Sequence, residues 1–140
     1  IGQASEHEIA GHLRLCDANF IPPLSARVNL EQYAAKLAEH AVCFEAWADG
    51  GLAGLLAAYC NDKASGLAFI TNVSVLGQWQ QQGIANELVR QCVDYAKTAA
   101  MRGIRLEVEK TNAQAINLYL KHGFRAEDSE GQYMNMVLRW

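Results

Sequence analysis

The segment Thr71-Asn72-Val73-Ser74-Val75-Leu76-Gly77-Gln78-Trp79 runs straight into Gln80-Gln81-Gln82-Gly83-Ile84-Ala85. A strand that ends in a tight turn and then opens a helix aims several unpaired backbone N–H groups at one spot. That spot lies at the positive end of the helix dipole and suits a pyrophosphate. Gly83 and Ala85 are small where the backbone must come close to such a ligand, and a side chain at Gly83 would push the phosphate away. The three glutamines supply donors but no charge, so affinity would rest on backbone dipoles. Taken alone the signal is weak, because a glycine at a helix start is more often structural. Three glutamines would also pass for a solvated loop. The pattern is not the dinucleotide fingerprint, which needs G-x-G-x-x-G after an early parallel strand. It is not a P-loop either, since no Gly-Lys-Ser/Thr follows.

Other chemistries find less support. Cys16, Cys43, Cys60 and Cys92 form no CxxC pair and sit among apolar neighbours. They read as small buried hydrophobes in a reducing compartment. The four histidines are scattered, so no metal site is expected. A net charge of -3 without any basic run gives no reason to expect nucleic acid as a partner. No apolar run approaches the roughly 20 residues that span a bilayer, and the first residues lack the pattern of a signal peptide. A soluble, cytoplasmic protein with no membrane partner is the expectation. The chain begins at Ile1 rather than Met, which leaves open residues missing or removed before it.

With 140 residues, 51% of them hydrophobic and 19% charged, the chain fits one domain over 1–140. Ser5-Glu6-His7-Glu8 has capping-box spacing and predicts a helix from about Ser5 to Asp17, broken by Pro22-Pro23. Asn29, with Gln32 three residues on, caps a second helix whose apolar stripe is Leu30, Tyr33, Ala34, Leu37 and Ala38. Val42–Trp47 and Leu52–Cys60 are apolar runs joined at Asp49-Gly50-Gly51, a hairpin signal, and Leu67–Leu76 completes a meander. Gly83 opens a long helix that Gly103 is expected to end, followed by a strand over Ile104–Glu109. A last helix runs from about Asn112 to Lys121 and stops at His122-Gly123; closing strands fall at Phe124–Ala126 and Gln132–Trp140.

The run from Leu106 to Phe124 carries a strand, Asn112, the Ala115-Ile116 pair, Tyr119 and Gly123-Phe124. Together with Gln-x-x-Gly-x-Ala after the third strand of a meander, it resembles the two signatures of the GNAT superfamily of N-acetyltransferases. The resemblance is close over about Leu67 to Phe124 and follows element order elsewhere. It implies an α/β (α+β) fold with a central mixed, mostly antiparallel twisted sheet flanked by helices, its strands splayed at the cofactor site. It also implies acetyl-CoA or coenzyme A as cosubstrate, with no metal.

By the same resemblance, Val73, Ser74 and Val75 offer backbone groups to the pantetheine arm in the manner of an added strand. Gln81, Gln82, Gly83, Ile84, Ala85 and Asn86 wrap the pyrophosphate, with Gln80 a further cofactor-binding residue at the head of the loop. Asn112 hydrogen-bonds the cofactor, and Tyr119 protonates the departing thiolate. Asn112 also stands where a helix N-cap is wanted, and Tyr119 also fits a buried core position. Glu107 holds the place that ribosomal-protein alanine acetyltransferases use for a base. On its strand it alternates with Leu106 and Val108 and is equally consistent with a solvated face.

Three positions depart from the usual pattern: Gln80 for Arg, Gly77 for Pro and Ala85 for the second glycine. Trp79 is expected to pack rather than bind. The acceptor is expected among Phe20–Arg27 and Asp128–Tyr133, with Phe20, Tyr33 and Tyr133 as candidate pocket liners. The implied reaction acetylates a primary amine on a small metabolite, an amino sugar or a protein N-terminus by direct attack in a ternary complex, with a small-molecule or peptide acceptor as partner and the enzyme a monomer or homodimer. The alternatives are an acyl-CoA-binding module without catalysis and an interaction domain that has lost the cofactor.

Overall fold

The computed structural model describes residues 2–140, apart from the side chain of Glu130. Helix α1 spans Glu6–Cys16, and the capping box forms as the spacing requires. Glu8 N–H donates to Ser5 Oγ at 3.1 Å, and Ser5 N–H donates to Glu8 Oε1 at 2.9 Å. Helix α2, Leu30–His40, is capped by Asn29 Oδ1, which accepts from Gln32 N–H at 3.0 Å. Both helices lay their apolar stripes on one face of the sheet, where Ile9, Leu13, Ala34 and Leu37 pack with Leu55 and Ala57. Among the described residues, no helix is long and apolar enough to cross a membrane.

The sheet contains β1 (Val42–Ala48), β2 (Gly51–Tyr59), β3 (Leu67–Val75), β4 (Gly103–Glu109), β5 (Arg125–Glu130) and β6 (Tyr133–Arg139). Their spatial order is β1-β2-β3-β4-β6-β5, antiparallel throughout except between β3 and β4. Asp49 and Gly50, with φ of 52° and 77°, give the β1–β2 turn the left-handed pair that matches strand twist. Leu52 to Ala58 are all buried, because helices cover both faces of β2. The second face carries α3 (Ile84–Thr98) and α4 (Ala113–Lys121), over a core that includes Phe44, Leu56, Leu88, Val89, Ile104 and Leu106. Gly54 on β2 admits the close approach of α3, since a Cβ there would lie 2.8 Å from Ile84 Cγ2.

The splay of the sheet begins at a bulge. Ala57 faces Asn72 while Ala58 faces Ile70, so Thr71 is the extra residue on β3. Parallel pairing of β3 with β4 stops at the same level, at Ile70 opposite Leu106. Beyond it β3 stays with β2, β4 stays with β6, and a gap opens between them. The bulge also switches faces. Ile70 and Val73 lie on the α3 side, whereas Ser74 turns toward α1.

Two boundaries differ from the sequence expectation. Gly103 does not end α3. Ala100 does, at φ 63°, with Ala100 N–H donating to Lys97 C=O and Met101 N–H to Ala96 C=O. Gly103 is instead the first residue of β4, and a Cβ there would collide with the Leu138 carbonyl of β6. The fifth strand starts at Arg125 and extends to Glu130, while Phe124 is a core residue ahead of it. At the end of α4, Gly123 (φ 92°) donates to Leu120 C=O and Phe124 N–H to Tyr119 C=O, the hydrogen-bond pair that ends α3.

Candidate active site

Two cavities open on opposite faces of the sheet and meet at the β3–β4 gap. The larger, about 450 Å³, lies between the end of β3, the first turn of α3 and the outer side of α4. The smaller, about 120 Å³, lies under the Phe20–Arg27 segment and against Thr71, Glu107 and Tyr133. Val73, Asn112, Ala115 and Tyr119 line both.

Strand register determines what the gap offers. Leu76 N–H donates to Ala53 C=O at 2.8 Å, so Gly54/Val75 and Leu56/Val73 are non-hydrogen-bonded pairs. The N–H and C=O groups of Val73 and Val75 therefore point away from β2 into the gap. Consistent with this, Gln80 Nε2 donates to Val75 C=O at 3.2 Å. Downstream, Gln81 and Gly83 adopt left-handed φ values of 64° and 81°. Gly83 is the N-cap of α3 and provides no side-chain cap, so the first-turn N–H groups stay available to a ligand. A Cβ at Gly83 would meet no protein atom within 4 Å.

Tyr119 sits at the junction of the cavities, 7% exposed and tilted against Phe124 with ring centroids 5.7 Å apart. Burial alone pushes its phenol well above the ordinary tyrosine value, so it holds its proton. Asn112 Oδ1 accepts from Ala115 N–H at 3.2 Å, capping α4 while facing both cavities. Across the smaller cavity, Arg27 Nη1 donates to Tyr133 Oη at 2.9 Å, which lowers the Tyr133 pKa. Glu109 accepts from Thr111 N–H at 3.3 Å; its neighbour Glu107 is exposed on the same strand face.

The acetyltransferase (GNAT) family matches residues 7–124 of this sequence. The chain belongs to the GNAT acetyltransferase family. Streptothricin acetyltransferase of Escherichia coli is 33% identical over 86 residues, covering 61% of this chain and 48% of that protein. The chain thus spans about half the length of that relative. The PaiA N-acetyltransferase of Thermoplasma acidophilum, solved with coenzyme A, superposes with a TM-score of 0.76 at 15% identity, covering 99% of this chain and 96% of that one. The ribosomal-protein-S18-alanine N-acetyltransferase of Escherichia coli gives 0.73 at 19% identity, over 94% and 84% of the two chains. The mixed, mostly antiparallel sheet with its splayed central pair is the GNAT fold.

Most of the GNAT site residues expected from the sequence converge on the larger cavity. Val73, Val75, Gln80, Gln81, Gly83, Ile84, Ala85, Asn86, Asn112 and Tyr119 all line it. Two do not fit as expected. Ser74 touches the wall, but its main chain is directed to β2 and its hydroxyl bonds His12 on the far face. Gln82 is exposed and forms no part of the wall. Glu107 belongs to the smaller cavity with Phe20 and Tyr133, whereas Tyr33 instead donates its hydroxyl to Thr71 C=O at 3.0 Å. Trp79 is half-buried in the larger cavity's wall rather than purely in packing. Unanticipated are Gln114, Asn117 and Lys121, which line the larger cavity from α4. Their i, i+3, i+7 spacing is a polar stripe that the helix periodicity could have revealed. Lys121 provides a positive charge that the glutamine loop lacks.

Proposed function

We propose that this protein transfers an acetyl group from acetyl-CoA to a primary amine by direct attack in a ternary complex. The meeting of two cavities at Val73, Asn112, Ala115 and Tyr119 carries this reading. A strand gap between them lets donor and acceptor approach from opposite faces. The larger cavity fits coenzyme A. It has the open edge of Val73 and Val75 for an amide-bearing arm, an uncapped helix start for pyrophosphate, and space where a Gly83 Cβ would project.

Acetyl-CoA supplies the acyl group as a thioester. Glu107, in the wall of the smaller cavity, takes a proton from the acceptor ammonium so that nitrogen has a lone pair to attack with. The C–N bond forms and the C–S bond breaks as Tyr119 donates its proton to the leaving sulfur; the second proton that nitrogen sheds in becoming an amide restores Tyr119, and Glu107 releases the first to solvent. Arg27, Tyr133 and Phe20 surround the acceptor. Acceptors named for the relatives are streptothricin and an alanine of ribosomal protein S18.

The test is release of coenzyme A thiol with a panel of streptothricin, an alanine-terminated peptide, spermidine and glucosamine. Turnover of at least one amine, with the acetyl group on nitrogen by mass spectrometry, is expected. Acetyl-CoA binding without turnover of any amine would support the non-catalytic acyl-CoA module instead.

A further inference from the structure

One segment passes from the larger cavity to the smaller. Asn19 lines the larger, and Phe20, Ile21 and Pro22 line the smaller. Adjacent Cα atoms are about 3.8 Å apart, so the crossing lies between Asn19 and Phe20. Asn19 is therefore at the end of the larger cavity that meets the smaller, where Tyr119 stands. Gly83, Ala85 and Asn86, by contrast, line the larger cavity alone. Among the described residues, Asn19 is the one wall residue of the larger cavity that comes from before β3. It approaches the β3–β4 gap from a different element than Val73 and Val75 do.

The segment is tied at its base. Asp17–Asn19 forms a single 3-10 turn, closed by Phe20 N–H donating to Asp17 C=O at 3.3 Å. The Asp17 carboxylate accepts from Ser25 N–H at 2.7 Å and from Ser25 Oγ at 2.6 Å, which clasps residues 17–25 into a loop. Asn19 itself is exposed, and its side-chain amide has no hydrogen-bond partner among the described residues. A side-chain amide offers both donor and acceptor and so matches another amide. The arm of coenzyme A carries two amides, and the one next to the sulfur lies at the reactive end.

We propose that the Asn19 side-chain amide hydrogen-bonds the arm amide nearest the thioester of acetyl-CoA, held in place by the Asp17–Ser25 clasp. The inference rests on the reading of the larger cavity as the coenzyme A site and adds to that site a residue from the segment between α1 and α2. Asn19 is the binding residue; Asp17 is a positioning residue.

Isothermal titration with coenzyme A and with 3′-phospho-ADP, the same nucleotide without the arm, tests this. Asn19→Ala should weaken coenzyme A by roughly three- to tenfold and leave 3′-phospho-ADP within about twofold of the wild type. Asp17→Ala, which opens the clasp, should weaken coenzyme A with the same selectivity for the arm. Unchanged coenzyme A affinity in Asn19→Ala overturns the inference and leaves the cavity reading standing. Equal weakening of both ligands marks a general distortion of the site and also overturns it. A wild-type protein that binds no coenzyme A overturns the cavity reading, and this inference with it.

Discussion

Gly83 and Gly50 form a matched pair for separating backbone strain from ligand exclusion. Both have left-handed φ, 81° and 77°, and at both an added Cβ meets no protein atom within 4 Å. Gly50 lies in the β1–β2 turn, away from both cavities, whereas Gly83 lines the larger one. An alanine held at such φ costs about 1–2 kcal/mol, partly offset by about 0.4–1 kcal/mol from a stiffer unfolded chain. The net is a loss of about 1 kcal/mol in either variant. For 140 residues the unfolding entropy is about 0.3 kcal/mol/K, so Tm should fall by about 3 °C in both. Binding should differ. At Gly83 the methyl group enters the space in front of the uncapped α3 N–H groups. Loss of one charge-assisted hydrogen bond to phosphate costs about 1.5–3 kcal/mol, or roughly 10- to 150-fold in Kd. Isothermal titration with coenzyme A measures this independently of Tm. Gly83→Ala should bind at least about tenfold more weakly, and Gly50→Ala like the wild type. Equal affinity in the two variants would refute the phosphate cradle.

Tyr119→Phe should keep coenzyme A affinity and lower kcat by about 10²–10⁴, the usual worth of a positioned acid; steady-state kinetics with an active amine checks both halves. Phe44→Ala removes a fully buried ring packed edge-on against Tyr95, at 5.7 Å between centroids, and should cost about 3–5 kcal/mol in urea denaturation. Alkaline pH should destabilise the fold. Burial raises Cys16 and Cys43 to about 11 and Cys92 and Tyr33 to about 12. Above pH about 8.5 the unfolded thiols ionise while the folded ones keep their protons. The unfolded state then binds fewer protons, so stability falls as pH rises toward the folded values. Urea midpoints measured from neutral to strongly alkaline pH should decline accordingly, and a flat profile would contradict these burial assignments.

What the residues disclosed in advance was mostly local. Ser5, Asn29 and Asn112 cap helices through side chains that reach only three residues ahead, so short sequence patterns reveal them. Asp49-Gly50 is likewise a local turn preference. The glycine loop ahead of α3 was legible because left-handed Gly83 and the helix after it are neighbours in the chain. The Thr71 bulge was not legible, since it exists only relative to the register of β2. That bulge helps turn Ser74 away from the gap. Gly103 was misread for the same kind of reason. Its missing Cβ answers to the Leu138 carbonyl on a distant strand, while Ala100 takes the left-handed position glycine usually fills. The His12–Ser74 hydrogen bond links residues separated by 62 positions, and no local pattern announces it.

The central claim is that donor and acceptor meet through the β3–β4 gap in one complex. Initial rates over a grid of acetyl-CoA and amine concentrations test it most directly. Direct transfer predicts double-reciprocal lines that intersect, with no acetylated protein detectable by intact mass after acetyl-CoA alone. Parallel lines with an acetylated protein intermediate would contradict it.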